Sequence, residues 1–136
     1  HQGVKLIGTL NYETGEVFCI ERERYDAQVF LQFLKMILEK YPMGKIVMIL
    51  DNTRIHHAKL LEEFLSQNAH RIEFLFLPPY SPNLNFIEGL WKWLKEKVVY
   101  NVFYSSVKEI RENVKLFLNE INKNPEAIIQ RLCLKL

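Results

Sequence analysis

The segment Ile46-Val47-Met48-Ile49-Leu50-Asp51 sets the expected architecture of this chain. Five consecutive apolar residues are typical of a strand covered on both faces, as in the middle of a parallel sheet. Parallel sheets place ligand sites at the carboxyl ends of their strands, and Asp51 follows this strand directly. A carboxylate there is costly unless it is solvated, hydrogen-bonded or paired with a cation. We therefore expect Asp51 to need a partner, and a divalent metal ion is the natural candidate.

Upstream of this strand, the sequence predicts a hairpin followed by a helix. Residues 4–10 and 17–24 are apolar-rich segments that flank a loop containing Asn and Gly, which is typical of two antiparallel strands. Asp26 is placed to cap a helix whose apolar residues recur at helical spacing until Pro42.

Downstream, a short amphipathic helix over residues 60–65 precedes a mostly buried strand over residues 72–77. From Phe86 the pattern is wholly helical, and Ser106 and Asn124 each carry the sequence signature of a helix N-terminus. The order strand, strand, helix, strand, helix, strand predicts an α/β fold in which helices cover a sheet.

The composition fits one intracellular domain. The 136 residues are 49% hydrophobic and 25% charged, which is ordinary for a globular protein, so we expect one domain over residues 1–136. Cys19 and Cys133 lie far apart and outside any metal-binding spacing, which favours a reduced, cytoplasmic setting. No apolar stretch approaches the roughly 20 residues of a bilayer span, so no membrane partner is expected.

Basic charge is concentrated in the C-terminal part of the sequence. Residues 1–88 carry nine Lys and Arg against eleven Asp and Glu, whereas residues 89–136 carry nine against five. The resulting net charges of −2 and +4 suggest that the second part meets a polyanion such as DNA. A solvated helical surface explains the same excess.

Glu88, 37 positions after Asp51, is the second candidate metal ligand. Mg²⁺ prefers oxygen ligands and is held by one or two carboxylates together with substrate phosphates. In two-metal phosphoryl transfer, ions about 3.5–4 Å apart stabilise the attacking and leaving oxygens. Structural alternatives stay open for both acids. Asp51 can cap the turn after its strand, and Glu88 can form a capping box with Asn85 or an ion pair with Lys92.

Two longer motifs surround these acids. The first is Ile49-Leu50-Asp51-Asn52-Thr53-Arg54-Ile55-His56-His57, and the second runs from Phe76 to Lys95 as FLPPYSPNLNFIEGLWKWLK. Both closely resemble motifs of the DDE transposase catalytic domain, in the insertion-sequence branch of the mariner superfamily. In that family, the Asp at the strand end and the Glu after the Pro-Tyr-Ser-Pro segment are the second and third metal-binding acids. By this resemblance, which covers most of the chain, Asp51 and Glu88 are catalytic metal ligands.

The resemblance implies a fold, a reaction and partners. The family's fold is ribonuclease H-like, a mixed sheet with helices on both faces. Its members cleave DNA and transfer strands at transposon ends, using Mg²⁺ or Mn²⁺, with two ions in the complete enzyme. The implied partner is DNA, both transposon ends and target. A homodimer is a candidate assembly, and a DNA-associated cytoplasmic location follows.

Two departures from the family pattern set the expected activity. The family's first Asp lies on a strand before the hairpin, whereas the sole Asp upstream of Asp51 is Asp26, at a helix start. Because this first catalytic strand and the DNA-recognition domains are missing from the sequence, we expect the chain alone to be inactive. Phe86 also replaces the family's usual Pro, a change that a first helical turn tolerates.

Further residues are candidates for orienting the acids or contacting DNA: Asn52, His56, Lys92, Trp93 and Lys95. Asn52 and His56 match the family motif, although a His at a helix start is equally a local cap or a surface residue. Trp93 can stack on nucleotides, whereas Trp91 lies on the apolar side of its helix and is expected in the core. The two lysines can meet phosphates or lie on a solvated helix face.

Two other functions stay open. A non-catalytic remnant that retains DNA binding or self-association fits the basic excess of residues 89–136. A different ribonuclease H-like nuclease or resolvase fits the two acids but not the Pro-Tyr-Ser-Pro segment, so it ranks lower.

Overall fold

The computed structural model describes residues 5–79, 85–99, 104 and 106–133. Its elements are, in chain order, β1 (Lys5–Leu10), β2 (Val17–Arg22), α1 (Ala27–Lys40), β3 (Ile46–Leu50), α2 (Lys59–Gln67), β4 (Ile72–Phe76), α3 (Phe86–Leu94), α4 (Val107–Ile121) and α5 (Pro125–Leu132). A 3₁₀ turn, Ile55–His57, precedes α2, and a π-helical turn, Lys95–Val99, follows α3. The structure is therefore mixed α/β, as predicted.

The chain divides into two compact units. The first is drawn from residues 1–23 and 82–136 and is called the hairpin unit, because it contains β1 and β2. The second is drawn from residues 24–81 and is called the Asp51 unit. No helix in the described ranges has the length and apolar character needed to cross a bilayer.

In the hairpin unit, β1 and β2 pair antiparallel along their whole length, which confirms the predicted hairpin. The turn between them is organised by Asn11, whose side-chain oxygen accepts two backbone N–H groups at 2.9 and 3.2 Å. Gly15 closes the turn with a φ of 83°, in the left-handed region that favours glycine. The β2 strand ends two residues earlier than predicted, and residue 4 lies outside the described residues.

The core of the hairpin unit joins β2 to its helices through four buried residues: Val17, Leu90, Ile121 and Ile128. Asn122, directly after α4, reinforces this junction with its side-chain amide. The amide oxygen accepts the N–H of Val17 at 2.9 Å, and the amide nitrogen donates to the carbonyl of Val17 at 2.8 Å. The helix starts predicted at Ser106 and Asn124 are confirmed, because each side chain accepts a backbone N–H at 3.3 Å.

In the Asp51 unit, β3 and β4 pair parallel, from Ile46 opposite Ile72 to Leu50 opposite Phe76. The α1 helix begins as predicted, since the Asp26 carboxylate accepts the N–H of Val29 at 2.9 Å. Its apolar face is buried through five residues: Val29, Phe30, Phe33, Leu34 and Ile37.

Arg71, immediately before β4, ties this strand to the end of α1. Its guanidinium donates to the carbonyl oxygens of Leu38, at 3.3 Å, Tyr41 and Gly44. The Arg71 carbonyl in turn accepts the N–H of Ile46 at 2.8 Å. One side chain therefore fixes the connection that leads into β3.

One sequence-based expectation about the sheet needs correction. We expected β3 to be covered on both faces, but Val47 and Ile49 are 54% and 51% exposed, whereas Met48 and Leu50 are 8% exposed. Leu75 of β4 is also exposed, so one face of the β3–β4 pair is open. The described strands form two pairs, one antiparallel and one parallel, and the single mixed sheet with helices on both faces stays a prediction.

The Arg71 contacts predict a specific loss of stability. We expect Arg71→Gln to lower the free energy of unfolding by about 2 kcal/mol, because hydrogen bonds from a charged donor to three carbonyl groups are lost. The matched control is Lys45→Gln, which removes an exposed ion pair to Glu73 and should change stability by about 0.5 kcal/mol or less. Urea unfolding of both variants measures the difference, and equal losses would contradict the role given to Arg71.

Candidate functional site

Asp51 is the first residue after β3, and its side chain is exposed. Leu50, immediately before it, is buried and lies opposite Phe76. The N–H of Leu77 donates to the Leu50 carbonyl at 2.8 Å, so strand pairing continues up to the residue before Asp51. The predicted position of Asp51, at the carboxyl end of a parallel strand, is confirmed.

His56 contacts the main chain of Asp51. Its Nδ1 lies 2.7 Å from the Asp51 carbonyl oxygen, and its ring packs against Phe30 with 4.8 Å between ring centroids. On the other side of the ring, Nε2 lies 3.4 Å from the Tyr25 hydroxyl. Burial raises the pKa of Tyr25, so this hydroxyl stays protonated and is able to donate. These contacts favour an orienting role for His56 over that of a free surface residue.

His57 and Asn52 form a second contact in the same loop. His57 Nε2 is hydrogen-bonded to the Asn52 side-chain oxygen, and the imidazole stacks on Phe76 with 4.2 Å between ring centroids. Sequence reasoning singled out Asn52 but missed both His57 and Tyr25. The available signal was the pair of adjacent histidines, five residues after the two residues that they contact.

Glu88 lies in the first turn of α3, and its side chain is exposed. The capping box considered for Glu88 is wrong, because the Asn85 side chain makes no capping hydrogen bond to α3. Among the ion pairs within the described residues, none joins Glu88 to Lys92. Glu88 is therefore placed as an outward-facing carboxylate in the first turn of α3.

The other candidates on α3 and just after it differ in their surroundings. Lys92 and Lys95 are exposed and able to reach a phosphate. Trp93 is partly buried, with its ring edge-on to Phe117 at 5.2 Å and the Arg131 guanidinium 4.3 Å from its centroid. These contacts favour core packing over nucleotide stacking for Trp93. Trp91 also packs on the core, as predicted.

A charged groove in the hairpin unit was not identified from the sequence. It has a volume of about 330 Å³ and is lined by five charged residues: Glu21, Arg22, Glu23, Arg111 and Lys115. Arg111 pairs with Glu21 across it, so acids already neutralise part of the basic charge. The residues come from β2 and α4, far apart in sequence, which is why no local motif indicated the groove.

The two candidate acids belong to different units, Asp51 to the Asp51 unit and Glu88 to the hairpin unit. Their convergence at one edge of a sheet therefore stays a prediction. Among residues 5–79, 85–99, 104 and 106–133, no three His, Cys, Asp or Glu side chains are grouped so that they could hold a metal ion. The Tyr80-Ser81-Pro82-Asn83-Leu84 part of the second motif lies outside these ranges.

Comparison with known proteins identifies the family. The model of the family described as DDE superfamily endonuclease matches residues 1–111. The chain belongs to the DDE superfamily of endonucleases. This DDE endonuclease chain is also 29% identical to the insertion element IS630 uncharacterized 39 kDa protein of Shigella sonnei over 121 residues. Together the two matches confirm the resemblance to DDE transposases of the IS630 and mariner type.

The match to the insertion-element protein covers 88% of this DDE chain but 35% of the relative. The chain therefore spans about a third of that relative's length. The family generally uses divalent metal ions. The donors of this chain fit such ions, because Asp51 and Glu88 present exposed carboxylate oxygens, the ligand type that hard divalent cations prefer.

The surroundings of Trp93 predict that its removal costs stability. We expect Trp93→Ala to lower the free energy of unfolding by about 2–4 kcal/mol, because it leaves a cavity against Phe117 and removes the ring under Arg131. Lys92→Ala and Lys95→Ala, on the exposed surface, should change it by about 0.5 kcal/mol or less. Chemical unfolding measures all three, and a small loss for Trp93→Ala would instead favour a free ring able to stack on nucleotides.

Proposed function

We propose that this chain is part of the catalytic domain of a DNA transposase that cleaves DNA and transfers strands at transposon ends. The observation that carries the proposal is the exposed Asp51 carboxylate at the end of a parallel strand, within a chain of the DDE family. Glu88, exposed in the first turn of α3, is the second acid. Both serve as catalytic residues through metal binding.

The cofactor is Mg²⁺ or Mn²⁺, with two ions in the complete enzyme. When bound, these ions activate a water or a 3′ hydroxyl and stabilise charge on the phosphodiester oxygens. The residues of this chain would hold the ions and orient their ligands. Asp51 and Glu88 supply oxygen ligands, while Asn52 and His56 stabilise the loop that carries Asp51. Exposed Lys92 and Lys95 supply positive charge for the DNA backbone.

We propose further that both units belong to one partial, ribonuclease H-like domain over residues 1–136. The antiparallel β1–β2 pair and the parallel β3–β4 pair support this, since a mixed sheet of that family combines both pairings. The partners are transposon-end and target DNA, and the assembly is a homodimer. The proposed location is cytoplasmic and DNA-associated. With Asp51 and Glu88 as the two proposed ligands, residues 1–136 by themselves should bind metal weakly and cleave little or no DNA.

Metal titration tests the two acids. We expect wild-type chain to bind Mn²⁺ weakly, and Asp51→Asn and Glu88→Gln each to weaken binding about tenfold or more, because each removes an oxygen ligand. Glu63→Gln and Glu112→Gln are matched controls, one exposed acid in each unit, and should leave the affinity unchanged. Calorimetry gives the dissociation constants. Loss of binding in Asp51→Asn but not in Glu88→Gln would contradict a shared site.

The alternative function is a non-catalytic remnant that binds DNA or associates with itself. The net charge of +4 over residues 89–136 favours it. Duplex binding that weakens with salt, survives Glu88→Gln and needs no metal would support this function. Strong Mg²⁺-dependent nicking that disappears in Asp51→Asn would instead refute the expectation that the chain alone is inactive.

A further inference from the structure

The two adjacent histidines of the 3₁₀ turn use opposite ring nitrogens. His56 engages the Asp51 carbonyl through Nδ1, at 2.7 Å, while His57 engages the Asn52 side-chain oxygen through Nε2. A main-chain carbonyl oxygen only accepts hydrogen bonds, so His56 Nδ1 carries the proton in the first pair. The Asn52 amide is oriented with its oxygen toward His57, and this orientation places the proton of the second pair on His57 Nε2. Neutral His56 is therefore the Nδ1–H tautomer, and neutral His57 is the Nε2–H tautomer.

The remaining nitrogen of His56 has a donor opposite it. With the proton on Nδ1, the neutral ring offers an acceptor lone pair at Nε2, and the Tyr25 hydroxyl lies 3.4 Å away. Tyr25 itself packs edge-on against Phe30, whose ring is 3% exposed. The His56 imidazole is thus held between a buried aromatic ring, a hydroxyl and the main chain of Asp51.

The second histidine is held by the neighbouring strand. The His57 ring stacks on Phe76, the last residue of β4, with an interplanar angle of 22°. Phe76 is in register with Leu50, the last residue of β3. The ends of both parallel strands are therefore linked to the same turn, β3 through its following residues and β4 through an aromatic stack.

We propose that His56 and His57 are positioning residues that fix the loop carrying the Asp51 carboxylate. A metal ligand has to be held within about 0.5 Å of its productive place, and groups that contact the ligand rather than the ion supply this restraint. Asp51 lies just beyond the last residue pair of the β3–β4 ladder, Leu50 opposite Phe76. His56 restrains its main chain, and His57 restrains the next side chain. This inference rests on the proposed function of Asp51 as a metal ligand.

Substitution of histidine by Asn or Gln distinguishes a hydrogen-bond donor at Nδ1 from one at Nε2. The side-chain nitrogen of Asn lies near the position of histidine Nδ1, and that of Gln lies near the position of Nε2. His56→Asn and His57→Gln therefore keep the required donor, whereas His56→Gln and His57→Asn displace it. We expect His56→Gln and His57→Asn, which displace the donor, to weaken Mn²⁺ binding about tenfold. His56→Asn and His57→Gln, which keep the donor, should bind Mn²⁺ within about twofold of wild type.

Because Asn is the tolerated substitute at position 56 and Gln at position 57, the variants distinguish positioning of the Asp51 loop from general stabilisation of the fold. If the histidines only support the fold, the Mn²⁺ affinity of each Asn or Gln variant should fall in step with its melting temperature. Asn would then not be the better substitute at position 56 while Gln is the better one at position 57. If Asp51→Asn abolishes Mn²⁺ binding but all four amide variants bind alike, this inference fails and the proposed function stands. If Asp51→Asn leaves Mn²⁺ binding unchanged, the proposed function fails, and this inference fails with it.

The tautomers give a readout independent of metal. Imidazole nitrogen NMR of the full chain at about pH 9, above the titration range of ordinary imidazole, should show His56 protonated at Nδ1 and His57 at Nε2. His70, which is exposed, provides the reference spectrum in the same sample. The reversed tautomers, or averaged signals for both rings, would overturn the inference whatever the metal titration shows.

Discussion

The parallel pairing of β3 with β4 is the constraint on which the candidate site depends. Its backbone bonds run from the Ile46 N–H, donated to Arg71, to the Leu77 N–H, donated to Leu50. This ladder determines where β3 ends and therefore where Asp51 leaves the sheet. It also places Phe76 beside that end, where its ring supports His57. The Arg71 guanidinium, bound to carbonyls after α1, fixes the opposite end of the same pair.

Local features of the fold were predictable because each depends on residues close together in sequence. The hairpin followed from a Gly- and Asn-containing loop, and the helix starts at Asp26, Ser106 and Asn124 followed from side chains able to accept backbone N–H groups. The strand before Asp51 followed from its apolar composition. Asn85 shows the limit of this reasoning, since a residue suited to capping makes no capping bond to α3.

Features that depend on distant neighbours were not predictable in the same way. The apolar run of β3 indicates that its side chains tolerate burial, but not which face receives a helix, and Val47 and Ile49 are in fact exposed. Tyr25 lies 31 positions from His56, so no local motif could join them. The sequence did mark Asp51 and Asn52 through a family motif. The partners that hold these two residues became visible only in the folded Asp51 unit.

The side-chain amide of Asn122 has a consequence for how β2 meets other molecules. A peptide group and a carboxamide offer the same donor and acceptor, so Asn122 occupies the backbone of Val17 much as a neighbouring strand would. Exposed strand margins invite pairing between copies of a protein, which leads to aggregation. A second chain that approached the beginning of β2 would find the N–H and the carbonyl of Val17 already hydrogen-bonded to Asn122. One asparagine thus satisfies both backbone groups of Val17 at this strand margin while also anchoring the end of α4.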